Sequence, residues 1–243
     1  MLFFLRKIRQ KLLKRNKVKQ YLVYAIGEIF LVVIGILIAL QVDNWNTQKQ
    51  DAKEELKLLK EMRLNLANDL QDSYWNIKKQ KELSISNAAV LIHLEKRTAF
   101  HDSLKAHYGN LVYSTTQRRN MAAYDHLKSK GIDLIQNDSL RRNITAVYSE
   151  RYYYIERQEL EFDNKYQMNE VIPQLNAKVL LIEESKIGQP INLERLQEDD
   201  SFKGMLRMNI KIRQFMISRY TSLSIDLKNL ITHLDNELEA RKK

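Results

Sequence analysis

Five histidines, three pairs of neighbouring acids, a tyrosine triplet and two arginine pairs are the side chains of this 243-residue chain whose types could do chemistry. His93, His101, His107, His126 and His233 neither open nor close an H-E-x-x-H zinc motif, and none has an acid three residues before it, as the Glu-x-x-His ligand pairs of di-iron bundles require. They read as surface or boundary residues, and no metal site is expected. Glu54-Glu55, Glu183-Glu184 and Asp199-Asp200 lie side by side in sequence. Adjacent helical residues point about 100° apart, so such pairs read as solvated faces or helix caps, not as acid–base couples. Tyr152-Tyr153-Tyr154 suggests an aromatic platform, yet Tyr148, Tyr152, Ile155 and Phe162 share the packed face of one amphipathic helix, which leaves part of the triplet exposed. Arg118-Arg119 and Arg141-Arg142 read as surface charge. Cysteine is absent, which excludes thiol catalysis, disulfides and thiolate metal sites. No phosphate loop, dinucleotide turn or nucleophile elbow is present, and six glycines supply little backbone for one. The expectation is a non-enzymatic protein with no catalytic residue and no cofactor.

Charge points to a membrane. The formal net charge is +10, but residues 1–20 contain Arg6, Lys7, Arg9, Lys11, Lys14, Arg15, Lys17 and Lys19 with no acid, and the rest of the chain is close to neutral. A basic block of this kind beside an apolar stretch fits cytoplasmic retention and contact with anionic lipid, and no nucleic-acid partner is expected. The apolar stretch is LVYAIGEIFLVVIGILIAL, residues 22–40, with a single charge. A hydrocarbon core of about 30 Å needs about 20 helical residues, so this segment is long enough to span. Tyr21 and Tyr24 lie at one boundary and Trp45 at the other, where amphipathic rings favour headgroups. Leu37 occupies the position where signal peptidase needs a small residue if it is to cut after Ala39, which favours an uncleaved signal anchor. The resulting layout is a cytoplasmic tail (1–20), a transmembrane helix (21–42) and an exported domain (43–243) in the inner (cytoplasmic) membrane, periplasmic if the cell has an outer membrane.

Within the span, Glu28, Val32, Gly35 and Ala39 fall on one helical face. Gly35 and Ala39 make a small-xxx-small pair, and an intramembrane acid is costly unless it faces protein. The face reads either as a helix–helix contact or as an acid that reaches the cytoplasmic boundary. Possible partners are therefore the lipid bilayer, a second copy of the chain, or another membrane protein.

With its basic lead-in, YAIGEIFLVVIGILIALQVDNWN (24–46) resembles an uncharacterised family of bacterial single-pass membrane proteins classed as a domain of unknown function. YDHLKSKGIDLIQNDSLRRNITAVYSERY (124–152) is similar to a second block of that family, with Asp43 standing where the family suggests Asn. The resemblance implies a membrane location and a helical exported region, and it brings no activity.

Only Pro173, Pro190 and four glycines follow the apolar stretch, so the remainder is expected to be mostly helix. Leu56, Leu59, Met62, Leu66, Leu70 and Ile77 predict a helix running to about Lys96, with Arg63 breaking any strict coiled-coil seam. Asp102 and Thr116 are candidate N-caps and Gly131 a C-cap. Asn137 or Asp138 opens a helix whose stripe is Tyr148, Tyr152, Ile155, Glu159, Phe162 and Tyr166, ended or kinked at Pro173. Gly188 and Pro190 mark a loop. A final helix from Asp199 or Asp200 toward Ala240 places Met205, Met208, Ile212, Phe215, Tyr220 and the leucines after it inside. The fold class is all-α: an N-terminal transmembrane helix, then an elongated antiparallel bundle. The function expected is a membrane-anchored interaction or scaffold protein, with a sensor subunit signalling through a membrane partner as the alternative.

Overall fold

The structure is a computed structural model that describes residues 18–182 and 186–242. The fold is all-α, with one short hairpin among the described residues. Helix α1 spans Val18–Glu95 and the last helix, α8, Asp200–Ala240. Between them come α2 (Lys105–Gly109), α3 (Ala122–Lys130), α4 (Asp138–Thr145), α5 (Tyr152–Gln158), α6 (Ile172–Lys178) and α7 (Leu193–Glu198). Two compact units divide the chain, Met1–Glu55 and Leu56–Lys243.

In the first unit the helix is apolar and bare. It provides the one helix among the described residues that is long and apolar enough to cross a membrane, and no residue of its most apolar window is buried within the protein. Val23 is 72% exposed and Leu31 69%, so this apolar surface is left uncovered by the described residues.

In the second unit, α1 from Leu56 onward runs antiparallel to α8. Arg63 pairs with Asp235 (2.9 Å) at one end, and Arg207 with Glu95 (2.7 Å) at the other. Residues 138–178 also run antiparallel to α8, with Asn143 meeting His233 and Gln167 meeting Asn209. The caps follow local chemistry. Asn137 accepts from the N–H groups of Ser139 and Leu140, both at 3.1 Å, and Asp199 accepts from Phe202 N–H at 2.9 Å. Gly131 closes α3 at φ +107°, a conformation L side chains resist. Two expected caps differ. His101, not Asp102, caps the short 3₁₀ turn Asp102–Leu104, and Thr116 opens no helix but lies in an irregular segment with neither helix nor strand, residues 112–121.

The helix over 138–178 is interrupted by three π-helical stretches, Ala146–Arg151, Glu159–Asn164 and Gln167–Val171. They correct the expected stripe. Phe162 is exposed and Tyr166 half-buried, while Asp163 and Gln167 are buried. Ile155, Glu159, Asp163, Gln167, Val171 and Leu175 are all buried at four-residue steps. On an α-helix each such step drifts by about 40°, roughly 200° over five, so an α-helical stripe with this spacing would leave the core. The wider π turn absorbs the drift. Pro173 falls in the first turn of α6, where its missing N–H is not needed, so the helix continues to Lys178.

The stretch expected to be a loop around Gly188 and Pro190 is a strand. β1 (Val179–Ile182) pairs antiparallel with β2 (Ile187–Pro190), in the register Val179↔Pro190 to Ile182↔Ile187. Helix α2 lies directly on this hairpin, and two glycines permit the approach. A Cβ at Gly109 would fall on the Lys186 carbonyl group, and one at Gly188 would come within 3.1 Å of Tyr108 Cβ. Because the obstacle at Gly109 is backbone, Gly109→Ala is expected to destabilise the domain by about 1–3 kcal/mol, read as a lower thermal midpoint of the full-length protein in neutral detergent. An unchanged midpoint would contradict the close approach.

Candidate functional site

Two apolar clusters form the core of the second unit. One gathers Leu59, Met62, Leu66, Tyr152, Met216 and Leu227 among others, the second Val90, Leu94, Tyr108, Val171, Phe202 and Leu206. Between them lies a belt of buried polar side chains. Helix α1 contributes Asp69, Ser73, Asn76, Gln80 and Asn87 at helical spacing, residues 138–178 contribute Glu159, Asp163 and Gln167, and α8 contributes Asn209 and Arg213. Every one is under 4% exposed.

Arg213 is the centre of the belt. Its guanidinium donates to both oxygens of Asp163 (2.6 and 3.0 Å), to Gln80 Oε1 (3.1 Å) and to Asn209 Oδ1 (3.1 and 3.2 Å). Gln80 Nε2 in turn reaches Asp163 at 3.2 Å and Thr115 at 2.8 Å. Burial pushes the Asp163 carboxyl up, opposed by the adjacent Arg213 charge. The same burial pulls Arg213 down, against Asp163.

The rest of the belt holds the irregular segment 112–121, whose backbone has no helix or sheet to satisfy it. Asp69 accepts from Asn120 N–H (3.0 Å), from the Asn120 amide and from Tyr152 OH (2.5 Å). Gln117 donates from its side chain to Asp69 O (2.8 Å) and accepts from Ser73 (2.7 Å). Glu159 Oε1 accepts from Gln117 N–H (2.6 Å) and Tyr220 OH (2.9 Å), while its Oε2 is buried with no partner. Burial pushes the Glu159 carboxyl up to about 7, against the hydrogen bonds from Gln117 and Tyr220 and the charge of Arg119. Burial raises Asp69 too, against the same kinds of bond. Chemically the belt can lock three chain segments in one register and hold a proton on a sealed carboxyl.

The candidates read from sequence lie elsewhere. Val32, Gly35 and Ala39 are exposed and Glu28 half-exposed on α1, and a Cβ added at Gly35 would meet no atom within 4 Å. Lys19 is exposed. Arg6, Lys7, Arg9, Lys11, Lys14, Arg15 and Lys17 lie outside the described residues, as do Glu183 and Glu184. Tyr152 is buried while Tyr153 and Tyr154 are exposed. Arg119 pairs with Glu156, and Arg141 with Asp133 and Asp138. His93 meets Thr98, and His107 meets Ser86. Among the described residues no group of three or more His, Cys, Asp or Glu is arranged to hold a metal ion. Asp163 and Arg213 were missed, although each stands one residue from an expected core position, Phe162 and Ile212. Only Glu159 showed in the sequence, as the acid that breaks the stripe.

Fold and belt together define an all-α protein with one potential membrane-crossing helix and a helical domain organised around buried polar groups. The chain belongs to a family of unknown function, DUF6090, whose pattern matches residues 28–180. The match starts at Glu28, inside the apolar stretch, and takes in the irregular segment and two of the belt's three helical contributors. No curated protein and no solved structure matches the chain.

Proposed function

We propose that the chain is a non-enzymatic interaction protein held in the inner membrane by one signal-anchor helix, with its basic tail in the cytoplasm and its helical domain exported. The observation that carries this reading is the face of Glu28, Val32, Gly35 and Ala39, where, among the described residues, a Cβ added at Gly35 meets nothing within 4 Å and so leaves room for a second backbone. An acid in hydrocarbon is costly, and a helix packed against small residues shelters it. The basic tail supplies the cytoplasmic anchor through anionic headgroups.

The test is crosslinking in native membranes. Glu28→Leu and Gly35→Leu are each expected to weaken self-association or partner capture roughly tenfold, the scale of one intramembrane helix contact. Retention of the wild-type crosslinked species in both variants would overturn the docking role of the face.

A sensor subunit is the second reading, and the belt favours it. Three π stretches and a carboxyl that titrates near neutrality are the makings of a two-state element. A pull-down that recovers one stoichiometric membrane protein supports the sensor, and recovery of the chain crosslinked to itself supports the scaffold.

A further inference from the structure

On the domain surface, α5 with the residue before it and α8 enclose a cleft of about 250 Å³. Arg151, Tyr154 and Ile155 line one wall at steps of three and four residues, and Arg219, Ser222, Leu223 and Asp226 repeat that pattern on the other. Contacts between the two walls brace the cleft: Arg151 meets Asp226 at 3.3 Å, and Arg219 meets the Tyr154 hydroxyl at 3.3 Å. Ile155 and Leu223 are buried and give the cleft an apolar floor.

The two arginines differ in their electrostatics. Arg151 has its counter-charge in Asp226. Among the described residues Arg219 donates hydrogen bonds only to hydroxyls, those of Tyr154 and Ser218, both at the long distance of 3.3 Å, and its guanidinium lies 5.0 Å from the Phe215 ring centroid. Its Nε is buried and has no hydrogen-bond partner. A guanidinium stays charged at any physiological pH and presents a fork of N–H donors matched to an oxyanion. Here the fork is held by ring stacking, partly stripped of water, and lacks an acid to face.

We propose that this cleft binds a small organic carboxylate. The carboxylate takes its place on Arg219, the Ser222 hydroxyl donates to it, and an apolar body rests on Ile155 and Leu223. Asp226 stands at the far end of the cleft and selects against a second negative charge on the ligand. This site is independent of the span face, so either can fail without the other.

The experiment is isothermal titration of the full-length protein in uncharged detergent with three probes: benzoate, its neutral isostere benzamide, and inorganic phosphate. Benzoate is expected to bind and to bind at least tenfold more tightly than benzamide or phosphate, with Arg219→Gln weakening it about tenfold, as loss of one charge-assisted contact does. Ser222→Leu, placed at an exposed position that leaves the core untouched, is expected to block the cleft and abolish binding. No benzoate binding, equal binding of benzamide, tighter binding of phosphate, or undiminished binding in both variants would each overturn the assignment.

Discussion

Replacing Arg213 alone with methionine is expected to destabilise the helical domain by about 3–5 kcal/mol, the cost of leaving a buried acid without its partner. Asp163 is 0% exposed and would keep only Gln80 and Gln167 as neutral partners, while Gln80 Oε1 would lose its donor. Removing both charges is a different experiment. An ion pair this deep gives back in desolvation much of what it gains in attraction, so Asp163→Leu with Arg213→Met is expected to recover most of the loss. The readout is helical circular dichroism against temperature for the full-length protein in neutral detergent, where the single variant should melt on the order of 10 °C lower. A double variant as unstable as the single would mean that the pair is a net source of stability. A single variant that melts like wild type would mean that the charge is not buried in solution.

The helices, the apolar stretch and most caps follow from local patterns: Asn137, Gly131 and Asp199 sit at the caps the sequence predicts, because capping depends on a few neighbouring residues. Leu59, Met62 and Leu66 are buried as the α1 periodicity predicts. Beyond Leu66 the same face is occupied by Asp69, Ser73, Asn76 and Gln80, while the expected Leu70 and Ile77 are only half-buried. The cause is distant: an irregular segment about 50 residues later places its backbone groups against that face, and α1 must supply polar partners. Residues 138–178 failed differently. The expected stripe assumed 3.6 residues per turn, and three π stretches shift the phase so that Asp163 replaces Phe162 and Gln167 replaces Tyr166. On α8 the matching shift buries Asn209, Arg213 and Met216, exposes Met208 and leaves Phe215 half-buried. Yet the four-residue spacing from Ile155 to Leu175 was on view throughout. A run of buried-type and amide or acid residues at a period near four, where α-helix demands 3.6, is the signal that points to π turns. The hairpin was hidden because Gly188 and Pro190 are turn formers, and only α2 packing on Gly188 makes them strand.

Stability of the domain is expected to fall as pH rises from about 4.5 to about 7, with Glu159 as the main cause. Its ordinary value is 4.5 and burial lifts it to about 7 in the folded protein. Between those values the folded chain holds a proton that the unfolded chain has released, so unfolding becomes easier with each step upward in pH. The contribution is therefore complete below pH 4.5, lost progressively through the folded value, and flat above it. A shift of that size corresponds to about 3 kcal/mol at most. Asp69 and Asp163 are raised as well and act with the same sign, whereas Asp199 and Glu237 are held down by Lys178 and Asn137 respectively and act oppositely at lower pH. Glu159→Gln separates these terms. The amide keeps an acceptor for Gln117 N–H and Tyr220 OH but does not titrate, so its stability should be flatter than wild type between pH 5 and pH 8. At pH 8 the variant should be the more stable protein, because wild type then carries a buried charge whose Oε2 has no partner. Denaturant titrations at pH 5, 6, 7 and 8 would measure both. Parallel curves for the two proteins would mean that Glu159 ionises as an exposed acid does. A converging pair, equal at pH 5 and separated at pH 8, would put a proton-operated contact between the irregular segment and α8 within the range that cells control, as the sensor reading requires.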